Sequence, residues 1–289
     1  MAVAGILYLV ATPIGNLDDI SARALATLRS VDFIAAEDTR HSRALLDHYG
    51  IVKPLVACHE HNQDRIGETL LARIAGGESA ALIADAGTPL INDPGYPLVR
   101  VARERGFRVS PIPGPCALIA ALAASGLPTD RFCFEGFPPR TAVARRKRLA
   151  ELRGEPRTLV FYESSHRIAD FCADLGAVLP AQRPVVVARE LSKLHETIVS
   201  TRAGEVAELV RETAYMEKGE FVVVVGGAEA ADGAELSVEQ ERVLALLLEE
   251  CSVKTAAALT ARITGARKET AYRAALALRQ ESSPKAEGC

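Results

Sequence analysis

Residues 6–19, ILYLVATPIGNLDD, set the pattern on which the fold turns: a short apolar run that stops at a loop carrying proline and glycine. The same unit returns at AALIADAGTPLINDPG (80–95), and further strand-length apolar runs stand at FIAA (33–36), LVAC (55–58) and RVSPI (108–112). Helix-length amphipathic stretches separate these runs. Helices are predicted after Asp19, Thr39, Asn62 and Gly95, where residues suited to a cap or a turn occur. Alternation of this kind describes a mostly parallel sheet covered by helices on both faces, so the fold class is α/β.

Working outward, the runs RFCFEG (131–136), RTLVFY (157–162), PVVVARE (184–190), HETIVS (195–200) and GEFVVVVGG (219–227) repeat the alternation and predict a second α/β domain. Gly126-Leu127-Pro128 is the expected joint, since glycine and proline resist helix continuation. ADGAELS (231–237) reads as a linker. Beyond it, Leu244, Leu247, Leu248, Ala256, Ala257, Leu259, Ile263, Tyr272, Ala275, Leu276 and Leu278 recur at helical spacing, which predicts three helices and no strand before a frayed SPKAEGC end. The expected division is 1–120, 121–230 and 236–281. A length of 289 residues accommodates it.

Composition excludes several classes. Thirty-four basic and 37 acidic residues leave a net charge of −3, against a uniformly basic nucleic-acid coat, and 48% apolar residues argue against a disordered chain. The six cysteines are scattered without a CxxC pair, which indicates neither a disulfide framework nor a structural zinc and fits a reducing cytoplasm. The first residues lack a basic leader, and no apolar stretch reaches the roughly 18 residues of a membrane span. There is no tryptophan, so nucleic-acid contacts would rest on arginine and shape more than on indole stacking.

Four loops follow predicted strands of the first half: TPIGNLDD (12–19), AEDTRHSR (36–43), DAGTPLINDPG (85–95) and PIPGPCAL (111–118). In a parallel sheet they collect at the carboxyl edge, where ligands bind. Neither the GxGxxG dinucleotide fingerprint nor a P-loop signature occurs among them. The expected ligand is therefore compact and held largely by main-chain groups, with Asp85 or Asp38 available for a hydroxyl or amino group. Each loop alone is also explained as a tight turn.

The ordered set LYLVATPIGNLDDIS, AAEDTR, HEHN, LIADAGTPLINDPG, PIPGPCA, GLPTDRFCFEGFPPR, FYESSHRI and ARELSKLHET resembles the RsmI family, the ribosomal RNA small subunit methyltransferase I enzymes, within the tetrapyrrole-methylase superfamily. The resemblance spans about residues 5–227, and SVKTAAALTARITGARKETAYRAAL is similar to the small helical domain of many members. It implies a class III S-adenosylmethionine-dependent methyltransferase: two unlike α/β domains holding the cofactor between them, a small C-terminal helical domain, and a homodimer. The implied reaction is methyl transfer from S-adenosyl-L-methionine to the ribose 2′-oxygen of a cytidine in the decoding centre of 16S rRNA, on the small ribosomal subunit. The cofactor residues it implies are Pro13, Gly15, Asp85, Gly87, Thr88, Pro89, Asp93, Pro113, Gly114, Pro115 and Cys116, with Glu135, Gly136 and Phe137 near the joint. The GEFVVVVGG strand is expected to add its terminal glycines.

Transfer to a hydroxyl requires the oxygen in line with the methyl carbon and a group that manages the proton. Glu37, Asp38, Glu163, His166 and Glu190 lie just past strand runs and are the candidates, although each is also explicable as a helix-start or capping residue. His59, Glu60, His61 and Asn62 beside Cys58 do not complete a metal site by spacing, so no metal is expected. Arg140, Arg145, Arg146, Lys147 and Arg148 form an acid-free cluster that suits phosphate, and Arg40, Arg43 and Lys193 extend it. A solvent-facing helix explains the same cluster. Two other functions remain open: a small-molecule methyltransferase of the tetrapyrrole type, and a non-catalytic RNA-binding protein of ribosome assembly.

Overall fold

The computed structural model describes residues 4–59, 62–213, 215–216, 218–228, 236 and 238–281. The apolar runs of the first half form β1 (Ile6–Val10), β2 (Phe33–Ala36), β3 (Leu55–Ala57), β4 (Ala80–Ile83) and β5 (Arg108–Ile112). They pair in parallel in the order β3-β2-β4-β1-β5. The connecting helices are α1 (Ala22–Ser30), α2 (Thr39–His48), α3 (Gln63–Ala75) and α4 (Tyr96–Glu104). The helix expected directly after Asp19 begins at Ala22, because Leu17–Asp19 closes a single 3₁₀ turn and the Ser21 hydroxyl then accepts from the Ala24 N–H at 3.0 Å.

Side chains alternate across the strands and sort the helices into two layers. Ile34, Ala36, Ala81 and Ile83 pack with Ala24 and Leu28 of α1 and Leu46 of α2. Phe33, Ala35, Ala80 and Leu82 pack with Leu70, Leu71 and Ile74 of α3 and Leu98 and Ala102 of α4. The connection leaving β1 runs toward β2, whereas that leaving β4 runs the other way toward β5. Because β1 and β4 are neighbours, their carboxyl ends flank a topological switch point, the place where an open α/β sheet leaves a crevice.

The second half forms β6 (Phe132–Gly136), β7 (Thr158–Ser164), β8 (Pro184–Arg189), β9 (Thr197–Arg202) and β10 (Glu220–Val225), in the order β6-β7-β10-β8-β9. Only β6 and β7 run parallel, so this sheet is mixed. Helices α6 (Ala142–Glu151), α7 (Ile168–Val178) and α8 (Val206–Glu212) cover the face carrying Leu159, Phe161, Val187 and Val223. The opposite face, with Val160, Val186, Val222 and Val224, is covered by α5 (Ala117–Ala124) through Leu118, Ala121 and Leu122. That helix follows β5 of the first sheet yet packs on the second. The chain therefore changes sheets at 113–116, ahead of the Gly126–Pro128 joint read from the sequence.

The tail folds as α9 (Val238–Glu250), α10 (Val253–Thr264) and α11 (Lys268–Glu281), with no strand among its described residues. Leu244, Ala256, Ala257, Ala271 and Ala275 form its core. Ile263, Tyr272 and Leu276 share the helical spacing but are exposed. The expected linker lies outside the described residues except for Leu236, and the expected frayed end lies wholly outside them.

An ion pair is buried between two helices of the second half. Arg145 of α6, 3% exposed, donates through Nε to Asp174 of α7 at 2.6 Å, and Asp174 also accepts from exposed Arg146 at 2.5 Å. Removing the carboxylate leaves a buried guanidinium unpaired. Asp174→Ala is expected to lower unfolding stability by about 3–5 kcal/mol, while Arg146→Ala costs less than about 1 kcal/mol; urea titrations of the two variants check the contrast.

Candidate active site

The switch point is closed by backbone. Thr12, after β1, and Gly87, after β4, form a two-bond bridge: Thr12 N–H to Gly87 O at 2.9 Å and Gly87 N–H to Thr12 O at 3.1 Å. The buried Thr12 hydroxyl donates to Ala84 O at 3.1 Å. Gly87 has φ +81°, a left-handed conformation that glycine adopts without strain, so it lets the loop turn into the bridge. Thr88 Oγ1 donates to Pro115 O at 3.0 Å and ties in the loop after β5. Asp85 accepts the Asp38 N–H at 3.1 Å and ties in the loop after β2.

Beside these loops lies a cavity of about 490 Å³, within the range of small-molecule sites. From the first sheet it is lined by Ile14, Glu37, Asp85–Thr88, Ile91–Asp93 and Cys116–Ala117, and from the second by Phe137, Tyr162–Ser165, Leu191 and Gly219–Val222. Five carboxylates (Glu37, Asp85, Asp93, Glu163 and Glu220) line it, with no lysine or arginine among the described lining residues. Burial, and then the charges of Glu37 and Asp85, push the Asp93 carboxyl up to about 7. Burial also raises Glu163, although the Ser164 N–H and Arg167 oppose the rise. Glu163 Oε2 is buried without a hydrogen bond, with Arg167 Nη2 3.3 Å away as its ion-pair partner. The Tyr162 hydroxyl accepts the Leu118 N–H at 3.1 Å, and burial raises its pKa.

Of the expected cofactor residues, Asp85, Gly87, Thr88, Asp93, Cys116 and Phe137 line the cavity. Pro13, Gly15, Pro89, Pro113, Gly114, Pro115 and Gly136 lie outside the lining. Glu135 is drawn elsewhere, since its carboxylate accepts from Arg148 Nη2 at 2.7 Å. The late strand contributes its first glycine, Gly219, while Gly226 and Gly227 pack against Pro184 and Pro156. Tyr162, Ile14, Ile91, Asn92 and Leu191 were not singled out from the sequence. The signal for Tyr162 was its place near the end of a strand, two residues after Val160 on the same face.

Among the proton-handling candidates, Glu37 and Glu163 line the cavity and the other three do not. Asp38 caps α2, accepting the Arg40 N–H at 2.8 Å, and the Arg40 guanidinium beside it lowers its pKa. His166 is exposed on the turn before α7. Burial would raise Glu190, but the Lys193 ammonium and the Glu220 N–H, both bonded to its Oε1 at 2.9 Å, outweigh it and hold it below the usual range. The RNA candidates also divide. Arg145 is removed from the basic cluster by its burial against Asp174, and Lys193 is taken up by Glu190 and Glu220 with its stem packed over Gly15. Arg140, Arg146, Lys147, Arg148, Arg40 and Arg43 are exposed. His59 donates its N–H to Asn62, which closes the turn before α3, while Glu60 and His61 lie outside the described residues.

Residues 6–207 match the model of the tetrapyrrole (corrin/porphyrin) methylases, and 234–279 match that of the RsmI C-terminal HTH domain. The chain is 55% identical over 274 residues to ribosomal RNA small subunit methyltransferase I of Pseudomonas aeruginosa, covering 94% of this chain and 97% of that protein. The same enzyme of Haemophilus influenzae is 50% identical over 274 residues, covering 94% and 97%. Among solved structures, diphthine synthase has a TM-score of 0.58 at 16% identity, covering 77% of this chain and 90% of its own. Uroporphyrin-III C-methyl transferase from Thermus thermophilus, complexed with S-adenyl homocysteine, has a TM-score of 0.52 at 20% identity, covering 77% and 97%. At these identities the structures show a shared fold.

The raised Asp93 pKa has a stability consequence of definite sign. Between 3.8 and about 7 the folded protein keeps a proton that the unfolded chain releases, so Asp93 makes stability fall as pH rises through that window and has no further effect above it. Without cofactor, Asp93→Asn is expected to gain on the unsubstituted protein in urea midpoint from pH 4.5 to 7.5. A pH-independent difference between the two would refute the assignment.

Proposed function

The chain belongs to the tetrapyrrole methylase family and, within it, to the ribosomal RNA small subunit methyltransferase I enzymes, and from that premise we propose that it methylates the ribose 2′-oxygen of a cytidine in the decoding centre of 16S rRNA, on the assembled small subunit. It is an S-adenosylmethionine-dependent methyltransferase. One observation carries the substrate reading: the loop that lines the acidic cavity at Phe137 runs on into a helix that exposes basic side chains. S-adenosylmethionine bears a sulfonium and an ammonium, and a lining with five carboxylates, of which Glu163 and Glu220 are paired with Arg167 and Lys193, suits that cation. RNA is a polyanion, and Arg140, Arg146, Lys147 and Arg148 follow Phe137 of the cavity rim within eleven residues.

In this reading Asp85 and Asp93 face the cationic groups of the cofactor, and the backbone at Gly87–Thr88 and Gly219–Val222 approaches it closely, with Ile14, Ile91 and Leu191 enclosing its apolar parts. The bound cofactor supplies the electrophilic methyl group. The chain's own work is to orient the ribose hydroxyl, exclude water and take up its proton. Glu37, which lines the cavity and acts electrostatically on Asp93, is our choice for the proton acceptor. A small-molecule methyltransferase of the tetrapyrrole type would leave the basic face of α6 and the helical tail without a role, and a non-catalytic assembly protein would leave the acidic cavity without one. The working form is a cytoplasmic homodimer.

Purified protein given methyl-labelled S-adenosylmethionine is expected to label unmethylated small subunits more than naked 16S rRNA, with nucleoside mapping locating the label on a cytidine ribose. Glu37→Gln is expected to keep cofactor and subunit affinity and lose most of the rate; normal turnover at saturating substrates would sink the choice of base. Joint Arg140→Ala, Lys147→Ala and Arg148→Ala changes are expected to weaken RNA binding and flatten its salt dependence by about 0.7–0.9 in log–log slope per lost phosphate contact. Filter binding over a salt series measures that slope.

A further inference from the structure

The loop joining β6 to α6 presents one aromatic ring at the cavity mouth, and several contacts fix it there. The register of β6 against β7 shifts between Phe134 and Gly136, a bulge of the kind that re-aims the next side chain. Gly136 stands at φ +64°, and a Cβ on it would come within 2.9 Å of the Asn92 side chain. Phe137 follows, 48% exposed while lining the cavity, with its ring centroid 5.8 Å from that of Tyr162. Pro138 is buried, and Arg167 Nη2 donates to the carbonyls of Pro138 at 2.5 Å and Pro139 at 3.2 Å. Arg167 is itself anchored on Glu163. The other apolar lining residues with large side chains, Ile14, Ile91, Leu191, Phe221 and Val222, are buried or half-buried.

An exposed phenylalanine loses apolar burial in the free protein, and the fixed loop keeps it from folding away. Its flat face suits an unstacked nucleobase, since aromatic side chains receive the splayed bases of single-stranded RNA. We propose that Phe137 is the stacking platform for the base of the acceptor nucleotide, with Arg167 as the positioning residue that holds the platform through Pro138 and Pro139. This role differs from the cofactor contact implied by sequence resemblance. It rests on the reading that RNA is the methyl acceptor, and it deepens that reading by naming where the acceptor base sits.

The test uses the full-length protein, unmethylated small subunits and saturating S-adenosylmethionine, with S-adenosylmethionine affinity measured separately by calorimetry. Phe137→Ala is expected to lower kcat/KM for subunits about 10- to 100-fold, the scale of one lost base stack, and to leave cofactor affinity within about twofold. Phe137→Tyr, which keeps the ring, is expected to retain activity, whereas Phe137→Leu, which keeps only apolar bulk, is expected to resemble Phe137→Ala. The platform is overturned if Phe137→Ala matches the unsubstituted enzyme on subunits, if it weakens cofactor binding as much as it slows methylation, or if Phe137→Leu restores activity as well as Phe137→Tyr. An unsubstituted enzyme that methylates no subunit and no 16S rRNA overturns the RNA reading and the platform together.

Discussion

The paired backbone bonds between Thr12 and Gly87 are the constraint on which the site depends. β1 and β4 lie side by side, but their chains leave in opposite directions, and left alone the two loops would diverge. The bridge holds them together at the base of the crevice. Gly87 permits the left-handed turn into it, and the Thr12 hydroxyl satisfies Ala84 O where water is excluded. Asp85 is thereby fixed, and its acceptance of the Asp38 N–H brings the loop bearing Glu37 to the same edge. The first sheet's share of the cavity's carboxylates is thus assembled by backbone geometry.

Such an arrangement has an electrostatic cost in the free protein. Asp93 holds its proton toward neutral pH because burial and two neighbouring carboxylates oppose a third negative charge. A bound cation reverses that preference, so the mutual repulsion of these carboxylates and their affinity for a positively charged ligand have the same origin. The basic groups are kept outside by equally local means. Arg145 is turned inward to Asp174, Lys193 is held by Glu190 and Glu220, and Arg140, Arg146, Lys147 and Arg148 are exposed, Arg146 while paired with Asp174 and Arg148 while paired with Glu135 and Glu151. A net charge of −3 thus conceals a separation of signs between cavity and rim.

The strands were legible because most of these three- to seven-residue segments read as short apolar runs bounded by turn residues. Their direction was not. Val222–Val225 of an antiparallel strand and Ile34–Ala36 of a parallel one are both buried on two faces, so neither shows the alternation that would distinguish them. Helix α5 escaped notice for a related reason: ALIAALAA is apolar all round and gives no amphipathic signal, although it covers the second sheet. Arg145 could not be separated from Arg146 by sequence, because neighbouring helical residues differ in facing and only the presence of Asp174 on α7 decides which is buried. The glycine and proline motifs located the site. Half of what they implied nonetheless stands outside the lining, since such residues are required by backbone shape as much as by contact.

Glu163 and Arg167 link the interior of this site to its edge. Arg167 lies four residues along the chain from Glu163, one on the turn before α7 and the other in β7, and the guanidinium spans from the cavity carboxylate to the Pro138 and Pro139 carbonyls. Its partner is buried and raised in pKa, so the pair is sensitive to whatever charge enters the cavity. The cavity carboxylate and the loop that carries Phe137 are therefore joined through one arginine.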